Sequence, residues 1–166
     1  AIEDLDKGMF DLIFLLDKKI SRPNWETVKE FPADISFFCS SRHPLANTSS
    51  VSLDRLLQER FILTEKGCNY RDVFENDLEA AGKKLTCAME IGHTSYIIRA
   101  VSRQLGIGLL PLFTLKEALT KGDISLIRVS GYQIQLSVQV IYNTQRRVSL
   151  PLRTMLSELN HFYPEK

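Results

Sequence analysis

Through the middle of the chain, short apolar runs alternate with segments whose apolar residues recur every three or four positions. Phe61-Ile62-Leu63-Thr64 is followed by Tyr70, Val73, Phe74, Leu78 and Ala81, with Gly82 at the place of a helix C′ glycine. The run over 85–89 is followed by Tyr96, Ile97, Ala100 and Val101, then the run over 107–110 by a helical stretch over 114–119 and a further run over 124–129. Runs of this length suit strands buried in a sheet, and the three-and-four spacing suits helices laid on it. Strict alternation of the two predicts an α/β fold with a mostly parallel sheet and helices on both faces.

The flanking segments extend this pattern. Asp11 introduces the apolar run 12–16, read as a strand buried on both faces of a parallel sheet and ended by Asp17. Residues 25–31 alternate loosely, Pro32 interrupts, and Ile35-Ser36-Phe37-Phe38-Cys39 makes a second strand. Ser52 is placed to cap a short helix burying Leu53, Leu56 and Leu57. Residues 136–142 alternate as a strand, and Pro151 opens a last helix with a stripe of Leu152, Met155, Leu156, Leu159 and Phe162. The expected order is β, β, β, α, β, α, β, α, β, α, β, β, α. In such sheets ligands bind beyond the carboxyl ends of strands, where helix N-termini point into a crevice. Residues 64–69 and 90–95 hold those positions.

Charge and cysteine content narrow the function classes. Lysine and arginine total 21 against 20 acidic residues, with no long run of one sign, so the segment lacks the electrostatic footprint of a phosphate-backbone binder. No apolar stretch approaches the roughly 20 residues that span a bilayer. Cys39, Cys68 and Cys87 form no even disulfide framework, which suits a reducing, cytoplasmic location.

Three segments in register, Gly8-x-x-Asp11-Leu12, His43-Pro44-Leu45-Ala46 and Val101-x-x-x-Leu105-Gly106-Ile107-Gly108-Leu109-Leu110-Pro111, resemble the effector-binding domain of LysR-type transcription regulators. Leu119-x-x-Gly122-Asp123-Ile124 and Arg146-Arg147-x-Ser149-x-Pro151-Leu152-Arg153 are similar to that family's closing segments. The resemblance implies a fold like type 2 periplasmic binding proteins: two Rossmann-like lobes joined by crossing strands near Cys39 and Val140, with an effector cleft between them. Lobe one takes residues 1–40 and 136–166 and lobe two residues 41–135. It also implies that an N-terminal winged helix-turn-helix, through which DNA is bound, a linker helix and part of lobe one lie upstream of residue 1. The full-length protein is then expected to be a homodimer or homotetramer. One position departs from the family pattern: Gln104 stands where a glycine usually precedes the Leu-Gly-Ile segment, and a left-handed turn there costs a non-glycine residue about 1 kcal/mol, so a local change of the turn is expected.

Ligand contacts are expected from Thr64, Cys68, Gly92, His93, Thr94 and Ser95 on one lobe and from Leu16 and Asp17 on the other. Thr64 ends a strand, so its hydroxyl can face the cleft. The turn 92–95 opens a helix, whose unpaired amides and dipole favour a carboxylate. Asn69 reads as an N-cap paired with Asp72, and Thr94 serves either as a cap or as a ligand contact. His93 is either a solvated loop residue or a partner for an acid. Cys68 sits near a helix N-terminus and Lys66, conditions that lower a thiol pKa, but the second cysteine of a redox pair is not close in sequence. Cys39-x-x-x-His43 lacks a second ligand pair, so no metal and no cofactor is expected. His43, His93 and His161 supply no nucleophile-and-base constellation, so an enzyme is not expected.

The expected partner is therefore a small anionic or polar effector. The rival readings are a transport solute-binding protein, which needs a secretion signal, and a metabolic enzyme on the same fold, which needs a catalytic loop.

Overall fold

The computed structural model describes residues 1–145 and 149–162, with side chains as far as residue 159. Arg146, Arg147 and the side chains of His161 and Phe162 lie outside the described residues. In chain order the elements are α1 (Ile2–Lys7), β1 (Leu12–Asp17), β2 (Trp25–Ser40), a 3-10 turn (Pro44–Asn47), α2 (Leu53–Leu56), β3 (Arg60–Leu63), α3 (Asn69–Ala80), β4 (Thr86–Glu90), α4 (Thr94–Ser102), β5 (Ile107–Pro111), α5 (Leu112–Thr120), β6 (Ile124–Ile127), β7 (Ile134–Asn143) and α6 (Leu150–Phe162). The chain divides into two compact units, Ala1–Pro32 with Leu136–Lys166, and Ala33–Gln135. Strands β2 and β7 pass from one to the other.

In the Ala33–Gln135 unit, β3 runs parallel to β4 and to β5, as helices α3 and α4 between consecutive strands require. Both β5 and β6 pair antiparallel to β2, and are therefore parallel to each other across the α5 connection. Phe37, Phe61, Phe74 and Tyr132 meet in one aromatic group, with Phe37 and Phe74 5.0 Å apart, edge to face. The Tyr132 hydroxyl escapes this apolar setting by donating to Asp77 Oδ2 at 2.8 Å.

Two familiar sequence segments have packing reasons here. His43 Nδ1 accepts from the Leu45 amide at 3.2 Å and so caps the Pro44–Asn47 turn, while its Nε2 lies 3.5 Å from Glu59. In Leu105-Gly106-Ile107-Gly108, a Cβ on Gly106 would stand 2.5 Å from the Arg60 carbonyl oxygen, and one on Gly108 would enter the Phe38 ring.

The other unit is built differently. Strand β1 pairs antiparallel with β7, from Leu12↔Tyr142 to Asp17↔Ser137. One apolar group there joins Leu5, Ile13 and Ile141, flanked by Ile2, Leu15 and Trp25, and Leu136, Val140, Leu152 and Leu159 of the same unit are buried as well. Polar contacts supplement it. Gln139, fully buried, accepts from the Ile20 amide at 2.9 Å and donates to the Lys18 carbonyl at 3.2 Å, fastening the segment after β1.

The structure corrects five expectations. The sheet is not mostly parallel, because strand order in sequence reveals parallel crossovers only where a helix joins consecutive strands, and β1–β7, β2–β5 and β2–β6 are antiparallel. Strand β1 is not buried on both faces: Ile13 is, but Phe14 is 54% exposed. Pro32 does not break β2, which continues for 16 residues; proline removes one donor, and it lies ahead of the registered ladders that begin at Ile35 and Phe37. Gln104 keeps the left-handed turn at φ 63°, its amide donating to Val101 O at 2.9 Å and Leu105 N to Ala100 O at 3.2 Å, so the helix ends as a glycine would end it. Met155 on α6 is exposed, while Leu152 and Leu159 on the same helix are buried.

The Ser52 cap and the Gly82 terminus are as expected, although of the three leucines Leu53, Leu56 and Leu57 only Leu56 is buried. Ser52 Oγ accepts from Arg55 N at 3.2 Å at the start of α2. Gly82 has φ 66° and closes α3, with Lys83 N donating to Leu78 O at 2.8 Å.

Candidate functional site

Parallel pairing brings the carboxyl ends of β3 and β4 side by side. Leu63 stands opposite Glu90, and the Ile91 amide extends the ladder by donating to Leu63 O at 2.9 Å. The chain leaves β3 through Thr64, Glu65, Lys66 and Gly67 and enters α3 at the N-cap Cys68. It leaves β4 through Ile91 and Gly92 and enters α4 at the N-cap His93. Two helix N-termini thus open from adjacent strand ends, the arrangement in which unpaired amides favour an anion. A Cβ built on Gly92 would lie 3.3 Å from Glu65 Oε1, so the two loops touch.

Thr64 is 7% exposed, and its hydroxyl is the sole buried side-chain polar atom without a hydrogen-bond partner among the described residues. Its neighbours are Tyr70 and Cys68. Burial chiefly raises the Tyr70 phenol pKa and the Cys68 side chain adds to this, whereas the Thr64 hydroxyl acts in the opposite sense. An unmet buried hydroxyl costs about 1–3 kcal/mol.

Helix capping differs from expectation on both loops. Asn69 is the first helical residue of α3 and not its cap; Asp72 reaches back to accept from the Gly67 amide at 3.2 Å. Thr94 likewise lies within α4, and the cap His93 makes no side-chain capping bond but sets its ring edge to face against Tyr96, 6.0 Å between centroids. Sequence alone places a cap at the nearest Ser, Thr, Asn or Asp, and here the backbone turns one residue earlier. Thr94 and Ser95 line a groove with Ile98 and Arg99 of α4 and with Thr114 and Lys121.

The expected residues are thus placed as follows. Thr64, Cys68, Gly92 and His93 lie on the two adjoining loops, and Thr94 and Ser95 face the groove towards α5. Leu16 and Asp17 end β1 in the other unit, opposite Val138 and Ser137, with Asp17 Oδ1 accepting from the Lys18 amide at 2.7 Å.

Arg71 and Glu65 were not anticipated. Arg71, on the first turn of α3, is 1% exposed. Its Nη1 donates to the Thr64 carbonyl, its Nε to Glu75 Oε1 at 2.7 Å and its Nη2 to Glu90 Oε1 at 3.0 Å. Burial opposes its charge, but the hydrogen bonds to Glu90 and Glu75 outweigh burial and raise its pKa. The Arg71 hydrogen bond correspondingly holds the Glu90 carboxyl below its ordinary value, with Lys66 assisting. The i,i+4 spacing of Arg71 and Glu75 was the signal available in sequence; nothing local announced Glu90 as a third partner.

The cysteines are all free. Burial pushes the Cys39 thiol up to about 11, with Glu59 adding to the effect. Among the described residues no group of three or more histidine, cysteine, aspartate or glutamate side chains is placed to hold a metal ion, and no helix is long and apolar enough to cross a membrane.

Comparison with known proteins returns one family. A profile described as LysR substrate binding domain matches residues 1–163. The transcriptional activator CmpR of Synechocystis sp. (strain PCC 6803) is 31% identical over 120 residues, covering 72% of this chain and 40% of CmpR. The HTH-type regulator YwqM of Bacillus subtilis is 28% identical over 156 residues, covering 94% of this chain and 53% of YwqM. The chain spans about half or less of these regulators. Among solved structures, the regulatory domain of Synechocystis CcmR in complex with 2-PG superposes with a TM-score of 0.82 at 19% identity, over 99% of this chain and 78% of that one. The effector binding domain of QuiR in complex with shikimate gives 0.74 at 15% identity, over 95% and 73%.

Proposed function

Because the chain belongs to the LysR substrate-binding-domain family and has its type 2 periplasmic-binding-like fold, we propose that it senses a small-molecule effector on behalf of a transcription regulator and catalyses no reaction. The observation that carries the reading is the unpartnered, buried Thr64 hydroxyl beside two helix N-termini. A ligand oxygen or nitrogen at that point completes a hydrogen bond the fold leaves open, and the amides of the first turns of α3 and α4 supply further donors.

Glu65 refines the ligand class. Its carboxylate stands against Gly92, and the Arg71 charge is already engaged by two carboxylates, so a bare dianion is poorly matched and a polar acid carrying hydroxyl or amino donors fits better. Ligand contacts by Leu16 and Asp17, and the division into lobes of residues 1–40 with 136–166 and residues 41–135, are proposals that follow from the family fold. DNA binding is assigned to the helix-turn-helix part of the full regulator, assembly as a homodimer or homotetramer to the whole protein, and location to the cytoplasm. A salt-sensitive gel shift by this segment alone would count against that division of labour.

The test is a thermal-shift screen of hydroxy acids, amino acids and simple carboxylates, with 2-PG and shikimate included, followed by calorimetry on a hit. A ligand at 100 times its dissociation constant adds about 2.7 kcal/mol to stability. Thr64→Val keeps the shape and removes the hydroxyl, and the expected loss is about 1–2 kcal/mol of binding. Unchanged affinity in both Thr64→Val and Ser95→Ala would place the site elsewhere.

A further inference from the structure

We propose that Arg71 is a positioning residue that locks the two loops of the candidate site into one geometry. This rests on the reading of those loops as the effector site, but its physical content is independent of any ligand. The buried guanidinium already has an acceptor at each of its three nitrogens, so what it does at the site it does through the groups it holds. Those groups belong to three elements. The Thr64 carbonyl lies one residue past the end of β3, where the sheet ladder no longer supplies a donor, and Arg71 Nη1 supplies it. Glu90 is the last residue of β4, two before Gly92, and Arg71 Nη2 fixes its carboxylate at 3.0 Å. Glu75, one turn further along α3, accepts from Nε at 2.7 Å, a contact that stays within the helix and reaches neither loop.

A planar fork with donors in three directions is what this junction needs. A lysine ammonium carries the same charge but cannot hold three fixed acceptors in one plane. The need is local. Strand β4 is largely exposed, its registered partner is β3, and the β3–β4 register shifts between Phe61 and Ile62. Past that shift the strands stay paired through Leu63 and Ile91, and the charge-assisted bond to Glu90 adds a side-chain tie from this end of β4 to the residue whose hydroxyl is the ligand candidate. Losing the fork would free the Thr64 and Glu90 ends together.

Amide hydrogen exchange of the protein, read by mass spectrometry without any ligand, tests this. Arg71→Lys is expected to speed exchange about tenfold in the 65–68 and 91–95 segments at their hydrogen-bonded Gly67 and Ile91 amides, with the α3 interior around Phe74 and Leu78 unchanged. Glu90→Gln, at an exposed carboxylate, is expected to speed the 91–95 segment most, and Glu75→Gln to leave that segment near the original rate. Should Arg71→Lys open α3 as well, the two glutamate variants decide. The proposal is overturned if Glu90→Gln leaves 91–95 unchanged, or if Glu75→Gln disturbs it as strongly as Glu90→Gln does. Failure of the effector reading would show separately, as absent ligand binding with the exchange pattern intact.

Discussion

The two units reach stability by different routes. Ala33–Gln135 is continuous in sequence and closes around a connected group of four aromatic rings, with Phe38, Ile97, Val101, Ile107, Leu109 and Leu110 also inaccessible to solvent. The other unit is assembled from the two ends of the chain, with one apolar group about Leu5, Ile13 and Ile141 and further buried residues at Leu136, Val140, Leu152 and Leu159. Hydrogen bonds supplement that group: Gln139 on the segment after β1, Trp25 Nε1 donating to Asp6 at 2.8 Å beneath the Arg22 guanidinium, Ser137 donating to Glu30 and Tyr142 donating to Glu26. It also leaves Met9, Phe10 and Phe14 exposed. Burial of apolar area scales with the size of the core, whereas each polar bond contributes about 1 kcal/mol, so single deletions should be felt unequally in the two units.

The sharpest way to break this contrast is Phe74→Ala. Phe74 touches Phe37, Phe61 and Tyr132, and its loss should cost about 3–5 kcal/mol in urea denaturation. Leu5→Ala should cost less, about 2 kcal/mol, because α1 has six residues and can fray locally; limited proteolysis should then cut within residues 1–10. If the two losses were equal, the contrast would be lost. Gln104→Gly tests whether the larger unit tolerates strain: relief of a left-handed glutamine, less the added entropy of an unfolded glycine, should stabilise it by about 0.5 kcal/mol.

The smallest expected effect is on acid titration. Glu90 is held ionised by Arg71, so this contribution is present above the ordinary carboxyl pKa and disappears as pH falls through the lower folded value. Carboxyl NMR should give Glu90 a midpoint below 4.5, and Arg71→Lys should move it upward.

Much of the Ala33–Gln135 unit was legible because its signals are local. The Tyr70-to-Ala81 spacing with Gly82, the Ser52 cap and the strand-helix alternation each reside in a few adjacent residues, and adjacent parallel strand ends follow from that alternation. The β1–β7 pairing joins residues more than a hundred positions apart, and nothing in residues 12–16 tells a half-exposed antiparallel strand from a buried parallel one. Pro32 misled for a related reason: its effect on a strand depends on whether a neighbour needs its missing donor there. Thr64 and Gly92 were assigned to the candidate site from their place after strands. Arg71 was not, since an arginine on a polar helix turn reads as solvated until the carboxylate from β4 arrives beside it.

Gly106 and Gly108 are moulds of their surroundings: one takes the shape of the Arg60 carbonyl, the other of the Phe38 ring. Their appearance in a family signature is then a record of steric pairing and not of ligand contact, and it predicts correlated change. Among relatives, a residue larger than glycine at position 108 should occur together with one smaller than phenylalanine at position 38, while position 106, which faces backbone, should have no such escape.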